Sequence, residues 1–481
     1  MSVRDDKAKV QHLSWRAGFG TDPAFINDWD HKNWNRFFRQ ILEGDKNKPR
    51  TIAVPETEEL YHADTWKRGK EMSVDERKAI RQQNRQGMKN LNLAWINEMV
   101  TTNHPLQEKM AYFWHGHFAC RVNNVLHNQL MLDVIRQNAL GNFGDLLFGV
   151  SKSPAMLQFL NNQQNRRQHP NENFGREVME LFTMGRGNYT ENDVKEGSRA
   201  FTGWGFNRLG EFVFRPRLHD NGIKTFLGKT GNFNGNDILN IILEHKATSR
   251  HITDKIYRFF VNDTPDETVI NTLADKFYQS NYNISYLMET LFKSDEFYKP
   301  ENRGNLIKSP VELLVGMRRT IPIDFGKDQV QLLFQRVMDQ VLFYPPNVGG
   351  WPGGRSWIDS STLLFRMRLP QIIYYSEKVT TRPKDMPDEL TNTYSGKNMS
   401  DQFIKNFARR VDASVNWKDY IDSFKTVPDD QLPHTVADAL LTDGQRINGS
   451  LLNKYADHTS RENYIKSLTI DLMSSPEYQL C

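Results

Sequence analysis

The fold is decided by the stretch SVDERKAIRQQNRQGMKNLNLAWINEMV, residues 73 to 100. It opens with Ser73, and Glu76 follows three residues later, which is the spacing of an N-terminal capping box. The residues after this cap continue as one long helical run. The stretch therefore predicts a long helix that begins at its serine cap.

Helical patterns continue on both sides of this stretch. Short apolar-periodic segments end in glycine, as helices do, in HLSWRAGFG (12–20), NVLHNQLMLDVIRQNALG (124–141) and NENFGREVMELFTMGRG (171–187). Strand signals are confined to GEFVFRPRLHDNGIKTFLG (210–228), where two alternating apolar arms flank Asn221-Gly222. The sequence therefore predicts a mainly α fold, a large multi-helix domain with one small β-hairpin insertion at about 210–228.

The chain divides at a polar segment after residue 377. KVTTRPKDMPDELTNTYSGKNMS (378–400) is polar and loop-like. We therefore expect a main helical domain over residues 1–377, and a linker with a small C-terminal helical region over residues 378–481.

Composition limits the classes of function. The net charge is only +4 over 481 residues, which gives no support for nucleic-acid binding. No run of about 18 apolar residues predicts a membrane span, and two cysteines make no disulfide framework. The N-terminus lacks the apolar core of a signal peptide, so we expect a cytoplasmic protein, or a periplasmic or secreted one if a leader has been removed.

Two histidines flank a glycine in FWHGHFA, residues 113 to 119. On a regular helix His117 falls in the apolar sector and His115 on the opposite side, since positions i and i+2 are roughly 200° apart. The two side chains therefore cannot bind one ion from a regular helix. Glu177 lies at the edge of another apolar helix face, where a carboxylate must be paired, protonated or bound to a cation. His117 and Glu177 form either a structural pair or a metal-binding or catalytic pair.

Two loops carry further polar candidates. In LHDNGIKT (218–225) Asp220 is first a turn residue, while His219 and Lys224 are either a titratable pair or a solvated hairpin end. FYPPNVGGWPGGRSWIDSST (343–362) is too rich in proline and glycine for a regular element and too aromatic for a linker, which favours a packed functional loop. No nucleophile elbow, HExxH motif, zinc-ligand spacing or phosphate-binding loop occurs.

These segments together, with IKSPVELLVG (307–316), resemble the bacterial family catalogued as domain of unknown function 1800. The resemblance runs in order from HLSWRAGFG to about residue 370. It implies no activity, but it implies a partner, because family members are often encoded beside proteins that resemble sulfatases and alkaline phosphatases. The residues that match the family's motifs are His115, His117, Asn171, Glu172, Asn173, Arg176, Glu177, Glu180, His219, Asp220, Lys224, Asn347, Trp351 and Arg355.

The leading hypothesis is an enzyme with one polar site built from four of these segments, performing metal-assisted or acid–base chemistry, hydrolysis included, on an anionic or sugar-like substrate. The predicted catalytic residues are His115, His219, Asp220 and Arg176. The predicted substrate-binding residues are Lys224, Asn347, Trp351, Arg355 and Trp357. The predicted ligands of a divalent metal are His117 and Glu177. The alternative is a non-catalytic binding or scaffold protein that partners the sulfatase- or phosphatase-like neighbour, without nucleic acid.

Overall fold

The computed structural model describes residues 3–43, 49–62, 72–375, 411–442 and 447–481. Within these ranges the chain forms 22 α-helices and three two-stranded antiparallel sheets. The predicted mainly α class is confirmed. No helix in the described ranges combines the length and the apolar character that crossing a bilayer requires.

The first nine helices include the longest one, which packs against the helix before it and the two helices that follow it. They are α1 (Val3–Arg16), α2 (Pro23–Asn27), α3 (Trp34–Leu42), α4 (Pro55–His62), α5 (Val74–Thr101), α6 (Pro105–His117), α7 (Val125–Asn138), α8 (Phe143–Lys152) and α9 (Pro154–Phe159). The predicted capping box begins α5: the Ser73 hydroxyl accepts the Glu76 N–H at 3.1 Å, and the Glu76 carboxylate accepts the Ser73 N–H at 2.7 Å.

The later helices complete the body. They are α10 (Glu172–Glu180), α11 (Glu191–Ala200), α12 (Gly235–Glu244), α13 (Lys246–Phe260), α14 (Glu267–Gln279), α15 (Ile284–Phe292), α16 (Pro310–Thr320), α17 (Val330–Val337), α18 (Ser360–Tyr374), α19 (Lys418–Asp422), α20 (Leu432–Leu440), α21 (Gly449–Tyr455) and α22 (Arg461–Met473). The strands are β1 (Trp204–Phe206), β2 (Phe212–Phe214), β3 (Lys224–Phe226), β4 (Lys229–Gly231), β5 (Ile323–Phe325) and β6 (Ala413–Val415).

The single hairpin predicted around Asn221-Gly222 is wrong. Strand β1 pairs with β2, and β3 pairs with β4, so residues 204–231 form two short hairpins. Asn221 and Gly222 lie in the loop between them, because the Asp220 carboxylate accepts the Gly222 N–H at 2.8 Å and closes a local turn. The second hairpin turns instead at Leu227 and Gly228, both with positive φ.

The helices after residue 410 share one hydrophobic core with the N-terminal helices. Helix α20 packs against α1 and α2, α22 packs against α18, and β6 pairs with β5. The predicted boundary at 377/378 and the predicted linker fall in residues 376–410, outside the described part of the chain.

A buried arginine ties α5, α6 and α7 together. Arg136 of α7 pairs with Glu108 of α6 at 2.7 Å and with Glu98 of α5 at 3.0 Å. The second oxygen of Glu108 accepts the Trp95 indole N–H at 2.9 Å. Because every charge in this cluster is paired, it fixes α6 in place and with it the histidines at the C-terminal end of that helix.

Candidate functional site

A cavity of about 590 Å³ opens beside the C-terminal end of α6. Its walls come from α6, α13, the start of α16 and the loop at 349–357, with Arg16 at the end of α1. The charged side chains that line it are Arg16, Lys109, Lys255, Arg258, Arg355, Asp263 and Glu312. The aromatic side chains that line it are Tyr112, Phe113, Phe259, Trp351 and Trp357. Among these lining side chains cations outnumber carboxylates five to two, and Cys481, the last residue of the chain, also lines the cavity and acts on Arg16 as a negative charge.

Arg16 is the most deeply buried of these cations whose charge lacks a carboxylate partner. Its side chain is 1% exposed, and one terminal nitrogen donates to the Asn302 carbonyl at 3.0 Å and to the Asn305 amide oxygen. Its Nε and Nη1 atoms are buried without a hydrogen-bond partner in the described part of the chain. Burial lowers the pKa of the guanidinium, but arginine stays charged. Two orphaned donors on a buried cation are costly unless an acceptor from outside the chain completes them.

A compensated ion pair lies beside Arg16. The Lys109 ammonium bonds Glu312, whose other oxygen accepts the Ser309 N–H at 2.7 Å in the capping box of α16. Burial works to raise the pKa of Glu312, but the charge of Lys109 and these hydrogen bonds outweigh it and lower the pKa. Lys109 and Glu312 therefore neutralise each other, whereas Arg16 forms no ion pair among the described residues and is attracted only from a greater distance by Cys481 and Glu312.

His117 lies in the cavity wall in a defined tautomer. Its Nε2 is 3.1 Å from the Phe182 carbonyl oxygen, which can only accept, so Nε2 carries the proton. The Nδ1 atom is then an unprotonated acceptor, and it is buried without a partner among the described residues. Burial, followed by the charges of Lys255 and His251, holds the pKa of His117 well below its usual value. The ring is a neutral base with a free lone pair.

Lys255 of α13 is fixed by the neighbouring carbonyl. Its ammonium donates to the Leu181 carbonyl at 3.1 Å, one residue before the carbonyl that orients His117. Burial lowers the pKa of Lys255 to about 8. The segment that follows α10 thus contributes two consecutive backbone carbonyls that position two side chains of the cavity.

The glycine-rich loop is attached to α6 by His115. The Nε2 atom of His115 accepts the Phe343 N–H at 3.1 Å, and its ring lies 5.8 Å from that of Trp351. Burial lowers the pKa of His115 to about 3, so it remains a neutral acceptor. Gly350 has a φ of +79°, and a Cβ there would lie 2.5 Å from the Gly116 carbonyl oxygen, so the loop and α6 meet closely only because this residue is glycine.

The chain matches the model of a family described as "Protein of unknown function (DUF1800)" over residues 12–480. The chain belongs to this family. No curated protein and no solved structure matches the chain. The family match extends beyond the resemblance seen in the motifs, because it includes the C-terminal helices.

Four of the predicted site residues in this DUF1800 chain line the cavity together: His117, Trp351, Arg355 and Trp357. Arg355 is exposed and has no ion-pair partner in the described ranges, so it presents a free cation at the mouth. His115 lies behind the wall and supports the loop. Asn347 does not line the cavity; its side chain accepts the Gly349 N–H at 2.8 Å and closes a turn.

The remaining predicted residues of the hairpin region lie outside the cavity lining and bind within the chain. His219 bonds the Thr202 carbonyl at 2.9 Å. Asp220 pairs with Arg199 at 2.8 Å. The Lys224 ammonium donates to the carbonyls of Asp220 at 2.6 Å and Gly222 at 3.0 Å. These groups hold the loop between the two hairpins in place.

Arg176 and Glu177 of α10 also stay outside the lining. Arg176 pairs with Glu191 at 2.8 Å and with Glu172 at 3.2 Å. Of the four segments predicted to form one site, the α6 end and the 349–357 loop line this cavity, the segment after α10 supports it through backbone carbonyls, and the hairpin region contributes no residue to its lining.

A metal bound by His117 and Glu177 finds no support. Burial and the charge of Glu180 raise the pKa of the half-buried Glu177, and no hydrogen bond joins it to His117 in the described part of the chain. Across the described ranges, no three His, Cys, Asp or Glu side chains come together as a ligand set.

The sequence argument missed Arg16, Lys109, Lys255 and Glu312. Arg16 stands in HLSWRAGFG, which is interpreted only as a helix, and Glu312 stands in IKSPVELLVG, which serves only the family resemblance. The available signal was the same one that drew attention to Glu177, namely a charged residue on an otherwise apolar helix face. Lys109 among Leu106, Met110 and Phe113 shows that signal clearly.

Proposed function

We propose that the cavity binds a small anionic molecule and that His117 acts on it as a general base. The single observation that carries the proposal is Arg16, a buried guanidinium in the cavity wall with two nitrogens that lack partners among the described residues. An anionic oxygen would satisfy them with charge-assisted hydrogen bonds.

The charge balance supports an anion. Lys109 is neutralised by Glu312, and Arg258 pairs with Asp254 at 3.0 Å. The other three lining cations, Arg16, Lys255 and Arg355, have no carboxylate partner in the described ranges. A concave site with this imbalance attracts anions and repels cations.

The aromatic lining supports a ligand with a ring or a sugar. Trp351 and Trp357 lie on the loop side of the cavity, and Phe113 and Phe259 lie on the helical side. Flat apolar walls beside fixed polar groups are typical of sites for small organic molecules. The volume of about 590 Å³ suits a molecule of that size.

The proposed chemistry is proton abstraction by His117. Its Nδ1 lone pair is available because Nε2 is committed to the Phe182 carbonyl. A base inside a cationic cavity removes a proton next to a bound anion, and the surrounding cations stabilise the negative charge that develops.

Calorimetry tests the binding. We expect the wild-type protein to bind inorganic phosphate, to bind glucose 6-phosphate more tightly, and to bind neutral glucose poorly. Arg16→Met should weaken phosphate binding by about 10-fold or more, since a hydrogen bond to a charged group is worth about 1.5–3 kcal/mol. Arg176→Met is the matched control, because that arginine lies outside the cavity lining, and it should leave binding unchanged. Phosphate affinity equal in wild type and Arg16→Met would overturn the proposal.

Turnover separates an enzyme from a passive binding site. Anionic compounds that bind are incubated with the protein and followed by NMR. We expect conversion by the wild type and its loss in His117→Gln with binding retained. Binding without conversion of any bound compound would leave the cavity a binding site and remove the catalytic role of His117.

A further inference from the structure

Lys255 is placed unlike the other cations of the cavity. Its ammonium makes one hydrogen bond, to the Leu181 carbonyl at 3.1 Å, and pairs with no carboxylate among the described residues. The neighbouring acid on its helix, Asp254, is engaged by Arg258 at 3.0 Å. Lys255 therefore reaches the cavity as an amine that no ion pair holds in its protonated form.

The surroundings of Lys255 favour a free amine. Burial is the main cause that lowers its pKa, to about 8, and the charge of Asp254 opposes this only in part. A sizeable fraction of the side chain is then unprotonated near neutral pH. Desolvation beside other cations is a known way to make lysine nucleophilic.

A proton acceptor, His117, lines the same cavity as Lys255. His117 bonds the Phe182 carbonyl and Lys255 bonds the Leu181 carbonyl, so consecutive backbone groups fix both side chains. Both line the cavity, and the charge of Lys255 contributes to the lowered pKa of His117. The Nδ1 of His117 has no partner in the described part of the chain.

We propose that Lys255 condenses with the carbonyl group of an anionic aldehyde or ketone to form an imine. This rests on the proposed function, because Arg16 and Arg355 must hold the anionic group of the same molecule. The Lys255 nitrogen lone pair forms a bond to the carbonyl carbon, and the carbonyl π electrons become an alkoxide. His117 Nδ1 takes one proton from the nitrogen and passes it to the alkoxide, which becomes a hydroxyl. His117 Nδ1 then takes the second nitrogen proton and passes it to that hydroxyl, which leaves as water while the nitrogen lone pair forms the C=N bond, so one carbonyl and one neutral amine give one imine and one water.

Reductive trapping tests the proposal with pyridoxal 5′-phosphate, an aldehyde that carries a phosphate. The full-length protein is exposed briefly to the aldehyde, reduced with borohydride, digested and analysed by mass spectrometry. We expect Lys255 to be labelled at least about tenfold faster than Lys246, because far more of an amine with a lowered pKa is unprotonated. Lys246 is an exposed lysine on the same helix that pairs with Asp275.

Two further measurements make the labelling specific to the cavity. Excess inorganic phosphate should slow labelling of Lys255 and leave that of Lys246 unchanged. Pyridoxal without its phosphate should lose the preference for Lys255. Lys255→Arg removes the amine, so the preferential label should disappear. Lys246→Arg is the matched control and should keep the label at Lys255.

The outcomes distinguish imine formation by Lys255 from anion binding in the cavity. Phosphate binding to wild type with Lys255 labelled no faster than Lys246 would overturn the imine and leave the anion site standing. Preferential labelling of Lys255 that phosphate does not suppress would support the amine and count against the anion site. If phosphate does not bind and Lys255 is not labelled preferentially, the anion site and the imine are both overturned.

Discussion

Replacing Arg16 with methionine should weaken anion binding while costing the free protein little stability. The matched comparison is Arg136→Met, since both arginines are 1% exposed. Arg136 is fully paired in the interior, whereas Arg16 has two nitrogens without partners in the described part of the chain. Because the two arginines are equally buried but differently paired, comparing the two variants shows which arginine stabilises the fold.

The expected changes in the free energy of unfolding follow from the ion pairs and hydrogen bonds that each substitution removes. Arg136→Met leaves the Glu108 carboxylate buried without its cation, which costs about 3–5 kcal/mol in the free energy of unfolding. Arg16→Met loses hydrogen bonds to Asn302 and Asn305, about 1.5–3 kcal/mol each for a charged donor. It also removes two unsatisfied nitrogens that each cost about 1–3 kcal/mol. These contributions nearly cancel, so we expect a net change below about 2 kcal/mol.

Urea unfolding followed by tryptophan fluorescence measures the difference. Phosphate should raise the unfolding midpoint of the wild type and leave that of Arg16→Met almost unchanged, because only a ligand that binds the native state stabilises it. If Arg16→Met is as unstable as Arg136→Met, Arg16 is a structural residue. If phosphate stabilises both proteins equally, the anion binds elsewhere.

Three further predictions concern the loop of the cavity. Burial lowers the pKa of His115 to about 3 in the folded chain, against 6.5 in the unfolded chain, so the unfolded state binds more protons between these two pH values. The free energy of unfolding should therefore fall by about 1.4 kcal/mol per pH unit as the pH drops through this range. His115→Asn should flatten that slope in urea titrations at a series of pH values. Gly353 has φ +72° and ψ −175°, a region nearly restricted to glycine, so Gly353→Ala should cost about 1–3 kcal/mol and lower phosphate affinity in calorimetry. Arg355→Gln should slow phosphate association and reduce its salt dependence in stopped-flow measurements, since Arg355 is an exposed cation at the mouth.

The helical architecture was predictable because its signals are local. The Ser73 and Glu76 capping box, and the glycines that end successive helices, depend on residues a few positions apart. The hairpin was misplaced although Asn221-Gly222 is a strong local turn signal. There the outcome depended on Arg199 and Lys224, which hold the loop between the hairpins through contacts that no local pattern reveals.

The site was predictable only in part for the same reason. His117, Trp351 and Arg355 were found because their motifs are unusual in themselves. Arg16 became significant only once the fold placed it beside the Lys109–Glu312 pair, and pairing between distant segments is what decides whether a buried charge is left over.

The most direct test of the anion site is a crystal of the full chain soaked in selenate, with diffraction data collected at the selenium absorption edge. The account predicts an anomalous peak in the cavity, within hydrogen-bond distance of Arg16 Nε or Nη1, that is absent from crystals of Arg16→Met soaked in the same way. A well-occupied selenate elsewhere, with none beside Arg16, would contradict the account.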